Sequence, residues 1–199
     1  MEKLIKINLG CGRNIENKFP EPWINVDLSG DCADYYCDIK KLPKEWSDKF
    51  DEVRASHVLE HFFMDEFDFI LTEWLRILKP GGTLRIIVPD FDIIIQALVS
   101  GSDSKNRNAL SVDETTPVLS QIFGVGYESR ITNPEWRHRF VFNKELLNNL
   151  LERQPSIGTI SFYEKENDPA ALLGIKDDSQ NPFSLCASAI KVSNGSNNY

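Results

Sequence analysis

The sequence has only four cysteines, and no two of them form a C-x-x-C pair. They are Cys11, Cys32, Cys37 and Cys186. A zinc ribbon needs two such motifs, so the cysteine pattern excludes that class of protein. Reduced, buried thiols are the expected state of these side chains.

The sequence also lacks a long apolar run and an excess of basic residues. No apolar run approaches the roughly 20 residues that a membrane-spanning helix needs, and Glu2, close before a strand-like pattern, is atypical of a signal peptide. The formal net charge of −8 disfavours a surface that binds nucleic acid. We therefore expect a cytoplasmic protein with neither a membrane nor a nucleic acid as partner, and the oligomeric state is left open.

The chain length is that of one domain. It has 199 residues, 41% of them hydrophobic, and a chain of this size buries a sufficient core without a disulfide or a metal. We expect a single domain over residues 1–193, followed by a polar, disordered tail over residues 194–199.

Hydrophobic periodicity predicts strands that alternate with amphipathic helices. The predicted strands cover residues 4–9, 23–28, 35–39, 50–56, 83–88, 157–163 and 185–192. One predicted helix has apolar positions from Phe67 to Leu78 and stops at Lys79-Pro80-Gly81-Gly82, because proline cannot continue it. Further helices are predicted over residues 91–99, over residues 117–123, and behind an N-cap at Asn143.

This alternation predicts an α/β fold with a doubly wound, mostly parallel seven-stranded sheet of the Rossmann-like type. Only a loop is expected between the last two strands, so the last strand is expected to run antiparallel. About ten residues separate Gly12 from the second strand. That is too few for a full crossover helix, which predicts a truncated first crossover.

The first strand ends in a glycine turn that is typical of a nucleotide site. Gly10-Cys11-Gly12 follows the strand, and Asp27 ends the next strand, where a carboxylate can accept both ribose hydroxyls. Ile15 stands where a dinucleotide fingerprint has its third glycine. Together with the short crossover, it argues against a pyrophosphate ligand such as NAD or FAD.

Five segments occur in the motif order of a known family. INLGCG, NVD, CDI, FDEVRASHVLEHF and LKPGGTLRIIVPD lie between about residues 4 and 90. In this order they resemble the class I S-adenosylmethionine-dependent methyltransferases. The chain looks most like the small-molecule branch, and within it like short bacterial members linked to sugar and polysaccharide modification.

The resemblance implies S-adenosylmethionine as cofactor and a binding site formed by Asn8, Gly10, Cys11, Gly12, Asp27, Leu28, Asp38, Ile39, Ser56 and His57. In that site the glycine turn packs on the methionine part, Asp27 holds the ribose, and Asp38 meets the adenine edge. Asp38 has a second interpretation as a cap on the turn at residues 42–46. Asn8 occupies a position where the family has an acid, and an amide cannot offset the cofactor's ammonium charge. Weaker cofactor binding is therefore left open.

The segment His57-Val58-Leu59-Glu60-His61 fits the H-x-x-E-H pattern of inverted zinc peptidases. Its position at a strand–helix junction argues against a peptidase, which needs both histidines on one long helix. The segment also resembles the E-x-x-E-H metal motif of some methyltransferases, with His57 in place of the first acid. No metal is predicted, although a site at Glu60 and His61 stays open.

Candidate acceptor-side residues occur near and beyond this segment. His61 and His138 are the candidate general bases, because imidazole titrates near neutral pH. Trp136, Arg139 and Glu60 are the candidate acceptor contacts. Residues 124–140 are interpreted as a lid over the acceptor, with Gly124 and Gly126 as hinges.

The predicted function is methyl transfer from S-adenosylmethionine to a small molecule such as a sugar, a glycan precursor or another metabolite. A DNA base is disfavoured, because Ser56-His57-Val58-Leu59 stands where aminomethyltransferases have an Asn/Asp-Pro-Pro-aromatic run. Two alternatives are kept. One is a catalytically silent module that binds S-adenosylmethionine or a partner, and the other is a nucleotide-dependent oxidoreductase.

Overall fold

A computed structural model describes residues 3–100, 122–124 and 136–193 of the chain. The described strands are β1 (Lys6–Leu9), β2 (Trp23–Asp27), β3 (Tyr35–Tyr36), β4 (Phe50–Ser56), β5 (Leu78–Pro89), β6 (Ile157–Tyr163) and β7 (Ser184–Lys191). The described helices are α1 (Phe67–Ile77), α2 (Phe91–Ser100), α3 (Lys144–Glu152) and α4 (Pro169–Leu173). The predicted tail lies outside the described residues, as does the predicted helix over residues 117–123 except for Ile122 and Phe123.

The strands form one seven-stranded sheet in the order β3-β2-β1-β4-β5-β7-β6. Strands β1 to β5 pair in parallel, whereas β7 is antiparallel to both β5 and β6. The predicted fold class and the antiparallel last strand are therefore confirmed. The first crossover holds only a short 3-10 turn over Ile15–Asn17, so its truncation is confirmed as well.

The junction between α1 and β5 differs from the prediction. Leu78, predicted as helical, is buried and begins β5 directly after α1. Phe50 faces Leu78 across the sheet and Glu52 faces Thr83, so residues 79–82 bulge out of the register. The helix therefore ends at Ile77, before the predicted stop at Lys79–Gly82, and the Pro-Gly-Gly segment is a bulge within β5.

The main hydrophobic core lies between the central strands and the apolar faces of α1 and α3. Ile70, Leu71 and Trp74 recur at helical spacing on α1 and are completely buried. Asn143 caps α3 by accepting a hydrogen bond from the backbone of Leu146, which confirms the predicted N-cap. These contacts fix the strand ends that carry the site.

The connection between β6 and β7 differs from the plain loop that the sequence predicted. It contains α4, which begins after Asp168 and ends at Gly174, a residue in left-handed conformation. The Asp168 carboxylate caps this helix by accepting from the backbone of Ala170. At only five residues, α4 is too short to show a clear helical period in the sequence. None of the described helices has the length and apolar character needed to cross a membrane.

Candidate functional site

A cleft of about 1090 Å³ opens at the carboxyl ends of β1, β2 and β4. In an open α/β sheet this edge is where ligands bind. All ten residues predicted for the cofactor line the cleft, and so do His61, Trp136, His138 and Arg139. Glu60 does not line it, because its side chain is completely buried.

The glycine turn has the backbone conformation that the sequence indicated. Gly10 and Gly12 have φ angles of +68° and +78°, which side chains rarely adopt. A Cβ on Gly10 would collide with the side chain of Val58, whereas a Cβ on Gly12 would meet no atom of the described chain within 4 Å. The steric demand at Gly10 therefore comes from the protein itself, and Gly12 is the residue that leaves room in the cleft.

Asp27 is fixed by the turn that it faces. Its Oδ2 accepts from the Gly12 backbone N–H at 2.8 Å, and its Oδ1 accepts from the Leu28 N–H at 2.7 Å. Each carboxylate oxygen has a second lone pair, so both can still accept a hydroxyl. Leu28 beside it is exposed.

Asp38 caps its own turn, since its Oδ1 accepts from the Lys40 N–H at 2.9 Å. The alternative cap on residues 42–46 is not observed, because the 3-10 turn there has no side-chain cap. Ile39 is buried in the main core, and its carbonyl accepts from the indole of Trp74 at 3.1 Å.

A buried ionic network lies under the cleft. The Arg54 guanidinium donates to Asn8 Oδ1 at 3.1 Å, to Asp168 Oδ1 at 2.7 Å and to Asp177 Oδ2 at 2.7 Å. Burial by itself would lower the pKa of Arg54, but the two carboxylates outweigh it and raise that pKa. One cation facing two anions gives the network a net negative charge close to Asn8.

His57 stands at the end of β4 with a φ angle of +52°, which is unusual for a residue other than glycine. Its Nε2 lies 3.0 Å from the Ser184 hydroxyl, and its Nδ1 lies 3.3 Å from Glu60 Oε1. Burial would lower the pKa of His57, but the neighbouring Glu60 carboxylate raises it above its ordinary value. The adjacent Ser56 hydroxyl is buried and has no hydrogen-bond partner among the described residues.

The three histidines of the chain converge on Glu60. His138 Nε2 lies 3.9 Å from Glu60 Oε1, and the rings of His61 and His138 meet edge to face with centroids 4.8 Å apart. Burial would raise the pKa of the Glu60 carboxyl, but the imidazoles, His57 first among them, hold it below its ordinary value. Neither Glu60 oxygen accepts a hydrogen bond within the described part of the chain.

The segment 136–140 is tied to this cluster through its backbone. The Glu60 carbonyl accepts from the N–H groups of Arg139 at 2.7 Å and Phe140 at 3.2 Å. Trp136 stacks under the Arg13 guanidinium, 5.0 Å from its ring centroid, and thus bridges to the glycine turn. Of the predicted lid, only Gly124 and residues 136–140 are described, and the second predicted hinge, Gly126, lies outside the described residues.

The sequence did not single out Arg13, Arg54, Asp177, Asp178 or Asn181 as cleft residues. Arg54 offered a signal, because a charged residue in the middle of an otherwise buried parallel strand needs a buried partner. The three residues from the connection before β7 offered none, since they lie more than 120 positions from Arg54.

The sequence and the fold were compared with known proteins. Residues 23–86, about a third of the chain, match the family model of a methyltransferase domain. No curated protein sequence matches the chain. The methyltransferase match covers β2 to β5, and it includes Asp27, Asp38 and the His57–His61 segment.

Several solved structures share the fold. One is a Burkholderia thailandensis 1,6-didemethyltoxoflavin-N1-methyltransferase with bound 1,6-didemethyltoxoflavin and S-adenosylhomocysteine, with 14% identity, a TM-score of 0.54, and coverage of 96% of this chain and 72% of that chain. Another is an S-adenosylmethionine-dependent methyltransferase from Archaeoglobus fulgidus, with 15% identity, a TM-score of 0.52, and coverage of 95% and 86%. A third, from Mesorhizobium loti, has 17% identity, a TM-score of 0.53, and coverage of 95% and 91%.

The seven-stranded sheet with its antiparallel β7 is the architecture that the chain shares with these structures. The chain therefore has the fold of the class I methyltransferases, and about a third of it matches a methyltransferase domain.

Proposed function

We propose that the chain transfers a methyl group from S-adenosylmethionine to a small polar metabolite, such as a sugar or a glycan precursor. The observation that carries this proposal is that the glycine turn and the strip of Trp136, His138 and Arg139 face one cleft. The bound 1,6-didemethyltoxoflavin of the Burkholderia thailandensis enzyme supports a small-molecule acceptor. We propose the cytoplasm as its compartment and residues 1–193 as a single domain.

The cleft fits the cofactor in two respects. No described atom lies within 4 Å of the position that a Cβ on Gly12 would occupy, so the backbone there can approach a ligand closely. The buried Ser56 hydroxyl has no partner among the described residues and can bond to a ligand atom. In this proposal Asp27 binds the ribose hydroxyls, Leu28 covers the adenine, and Asp38 meets the adenine edge through the carboxylate oxygen that its own turn leaves unused.

The Arg54 network bears on whether Asn8 weakens cofactor binding. Asn8 is neutral, but the guanidinium that it contacts is outnumbered by the carboxylates of Asp168 and Asp177. We propose that this net negative charge, rather than an acid at position 8, faces the ammonium group of the cofactor. Because the side chains of the network are almost completely buried, water and salt screen its electric field much less than that of a surface acid.

When bound, S-adenosylmethionine supplies a methyl group already activated on its sulfonium. The chain then has to align the acceptor in line, exclude water and take up the acceptor's proton. His138 and His61 line the cleft next to Trp136, and we propose one of these imidazoles as the group that accepts the proton. The Trp136 ring offers a flat apolar face, and Arg139 offers a charge, which together suit a sugar or an anionic acceptor.

The test measures cofactor binding and turnover separately. Calorimetry with S-adenosylhomocysteine should show one site per chain. Formation of S-adenosylhomocysteine from S-adenosylmethionine should then rise with a sugar, a nucleotide sugar or an anionic glycan precursor in a panel of small acceptors. Binding without acceptor-dependent turnover would instead support the silent module, which Asn8 at the usual acid position favours. Tight binding of NADH, with no binding of S-adenosylhomocysteine, would overturn both interpretations.

A further inference from the structure

We propose that Glu60, His61 and His138 form a binding site for a divalent transition-metal ion of the zinc class. Each residue offers one ligand atom, and the three atoms lie within 4.8 Å of one another. In a tetrahedral zinc site with bonds of about 2.1 Å, ligand atoms lie roughly 3.4 Å apart. His138 Nε2 and Glu60 Oε1 are already 3.9 Å apart, so small side-chain rotations complete the geometry.

The second observation is the buried carboxylate itself. Both oxygens of Glu60 are inaccessible, and neither accepts a hydrogen bond from the described residues. His57 Nδ1 lies 3.3 Å from Glu60 Oε1 and forms an ion pair with it when the imidazole is protonated. The imidazoles beside Glu60 are charged only when they are protonated, and a buried carboxylate without a hydrogen bond usually has a water or an ion as partner. A metal ion between Glu60 and the two histidines would provide one.

The donor set selects the kind of ion. Two imidazoles and one carboxylate suit zinc and its neighbours in the first transition row, whereas magnesium and calcium prefer oxygen ligands only. Three protein ligands leave one tetrahedral position open. His61 and His138 both line the cleft, so this open position faces the place proposed for the acceptor.

The scaffold holds the ligands together without the ion. Glu60 and His61 are adjacent on the 3-10 turn Leu59–His61, and the Glu60 carbonyl binds the backbone next to His138. His61 Nδ1 lies 3.2 Å from the Arg137 carbonyl. A proton on Nδ1 donates to that carbonyl and leaves the Nε2 lone pair for a metal, which is the usual outer-shell arrangement of metal-bound histidine.

A bound ion would change the proton chemistry proposed above. The two imidazoles would be occupied as ligands, and an acceptor hydroxyl at the open position would have its pKa lowered by the ion instead. Metal binding itself does not depend on the proposed methyl transfer.

The experiment uses the full chain after treatment with a chelator. Zinc titrated by calorimetry should bind with a stoichiometry of one, and cobalt should give the visible absorption of a tetrahedral site. Glu60→Gln keeps the size of the side chain, and His138→Gln changes a residue at the cleft. Each should weaken zinc binding by about a hundredfold, because each removes a ligand.

The matched control is Cys32→Ser. Cys32 belongs to a small buried cluster with Cys11 and Ala33, so its thiol is the rival zinc ligand. We expect this variant to bind zinc like the unmodified chain. Circular dichroism and a titration with S-adenosylhomocysteine report whether each variant is folded.

Two outcomes would overturn the metal site: no stoichiometric zinc binding by the unmodified chain, or zinc binding that Cys32→Ser abolishes and His138→Gln does not. If S-adenosylhomocysteine still binds in either case, the proposed methyl transfer is unaffected. Zinc binding without cofactor binding would contradict the proposed function alone.

Discussion

Arg54 Nη1 donates to Asn8 Oδ1 at 3.1 Å, and the two residues are register partners on the adjacent strands β4 and β1. The same guanidinium reaches forward to Asp168 and Asp177 in the connection before β7. The contact therefore joins the first half of the sheet to the last connection of the fold. It also places the only strongly buried arginine of the described chain directly under the proposed cofactor site.

Arg54→Met should destabilise the protein by about 3–5 kcal/mol. The substitution leaves two carboxylates buried without their cation, which costs far more than the pair contributes when intact. Urea unfolding followed by circular dichroism measures the change. The control is Arg85→Met. Arg85 is the register partner of Arg54 on β5, but its own side chain is about a quarter exposed, and its partner Glu52 keeps a second cation in Lys6. There we expect a loss of about 1 kcal/mol or less, and equal losses in the two variants would contradict the argument.

The sheet was predictable because its strands carry local signals. The bounds of β4 and β6 agree with the prediction, and the antiparallel β7 followed from the missing long helix before it. The Arg54 network was not predictable, because 114 residues separate Arg54 from Asp168 and no local pattern reports such a contact. The burial of Glu60 was missed for the same reason, since its carboxylate lies against His138, which is distant in the sequence.

Asp27→Ala should weaken binding of S-adenosylhomocysteine by about 2 kcal/mol, or roughly thirtyfold. The substitution removes the charged acceptor proposed for the ribose hydroxyls. It also removes the bond from the Gly12 N–H, so the unfolding free energy has to be measured alongside. Asp31→Ala is the control, because Asp31 is an exposed acid just after β2 that does not line the cleft. Unchanged calorimetric affinity in Asp27→Ala would exclude Asp27 from the cofactor site.

Gly10→Ala should mainly lower the stability of the protein, whereas Gly12→Ala should mainly lower its affinity for the cofactor. At Gly10 the new Cβ meets Val58 and also strains a left-handed backbone, so we expect a loss of stability of about 2–4 kcal/mol. At Gly12 only the backbone strain of about 1–2 kcal/mol applies, and the methyl group points into the cleft, so cofactor affinity should fall most. The double variant Gly10→Ala/Val58→Ala should recover part of the stability. No recovery would show that Val58 is not the obstacle.

Stability should decline above about pH 9, because buried thiols hold their protons in the folded state. Burial raises the pKa of the Cys186 thiol to about 12, and burial also raises the pKa of Cys32. Unfolded thiols ionise near 9.0. Between that pH and the folded pKa the unfolded state therefore binds fewer protons than the folded state, and its ionisation lowers the free energy of unfolding. For Cys186 the loss between pH 8 and pH 10 should be about 1.4 kcal/mol. Urea midpoints at both pH values should therefore differ less in Cys186→Ala than in the unmodified chain, and identical differences would contradict this account.

His138→Ala should lower turnover about a hundredfold or more and leave the affinity for S-adenosylhomocysteine nearly unchanged. The His138 side chain is only 9% exposed and is directed toward Glu60 at the acceptor side of the cleft, away from bulk solvent. It can therefore act on the acceptor, either as a base or through a bound metal, without holding the cofactor. Turnover is measured with the best acceptor of the panel or, without one, as slow hydrolysis of the cofactor. If His138 is a base, added imidazole should restore part of the activity of His138→Ala. If His138 is instead a metal ligand, added zinc should change the rate of the unmodified chain but not that of His138→Ala. Normal turnover in His138→Ala would exclude both roles, and the proposed proton transfer would then fall to His61.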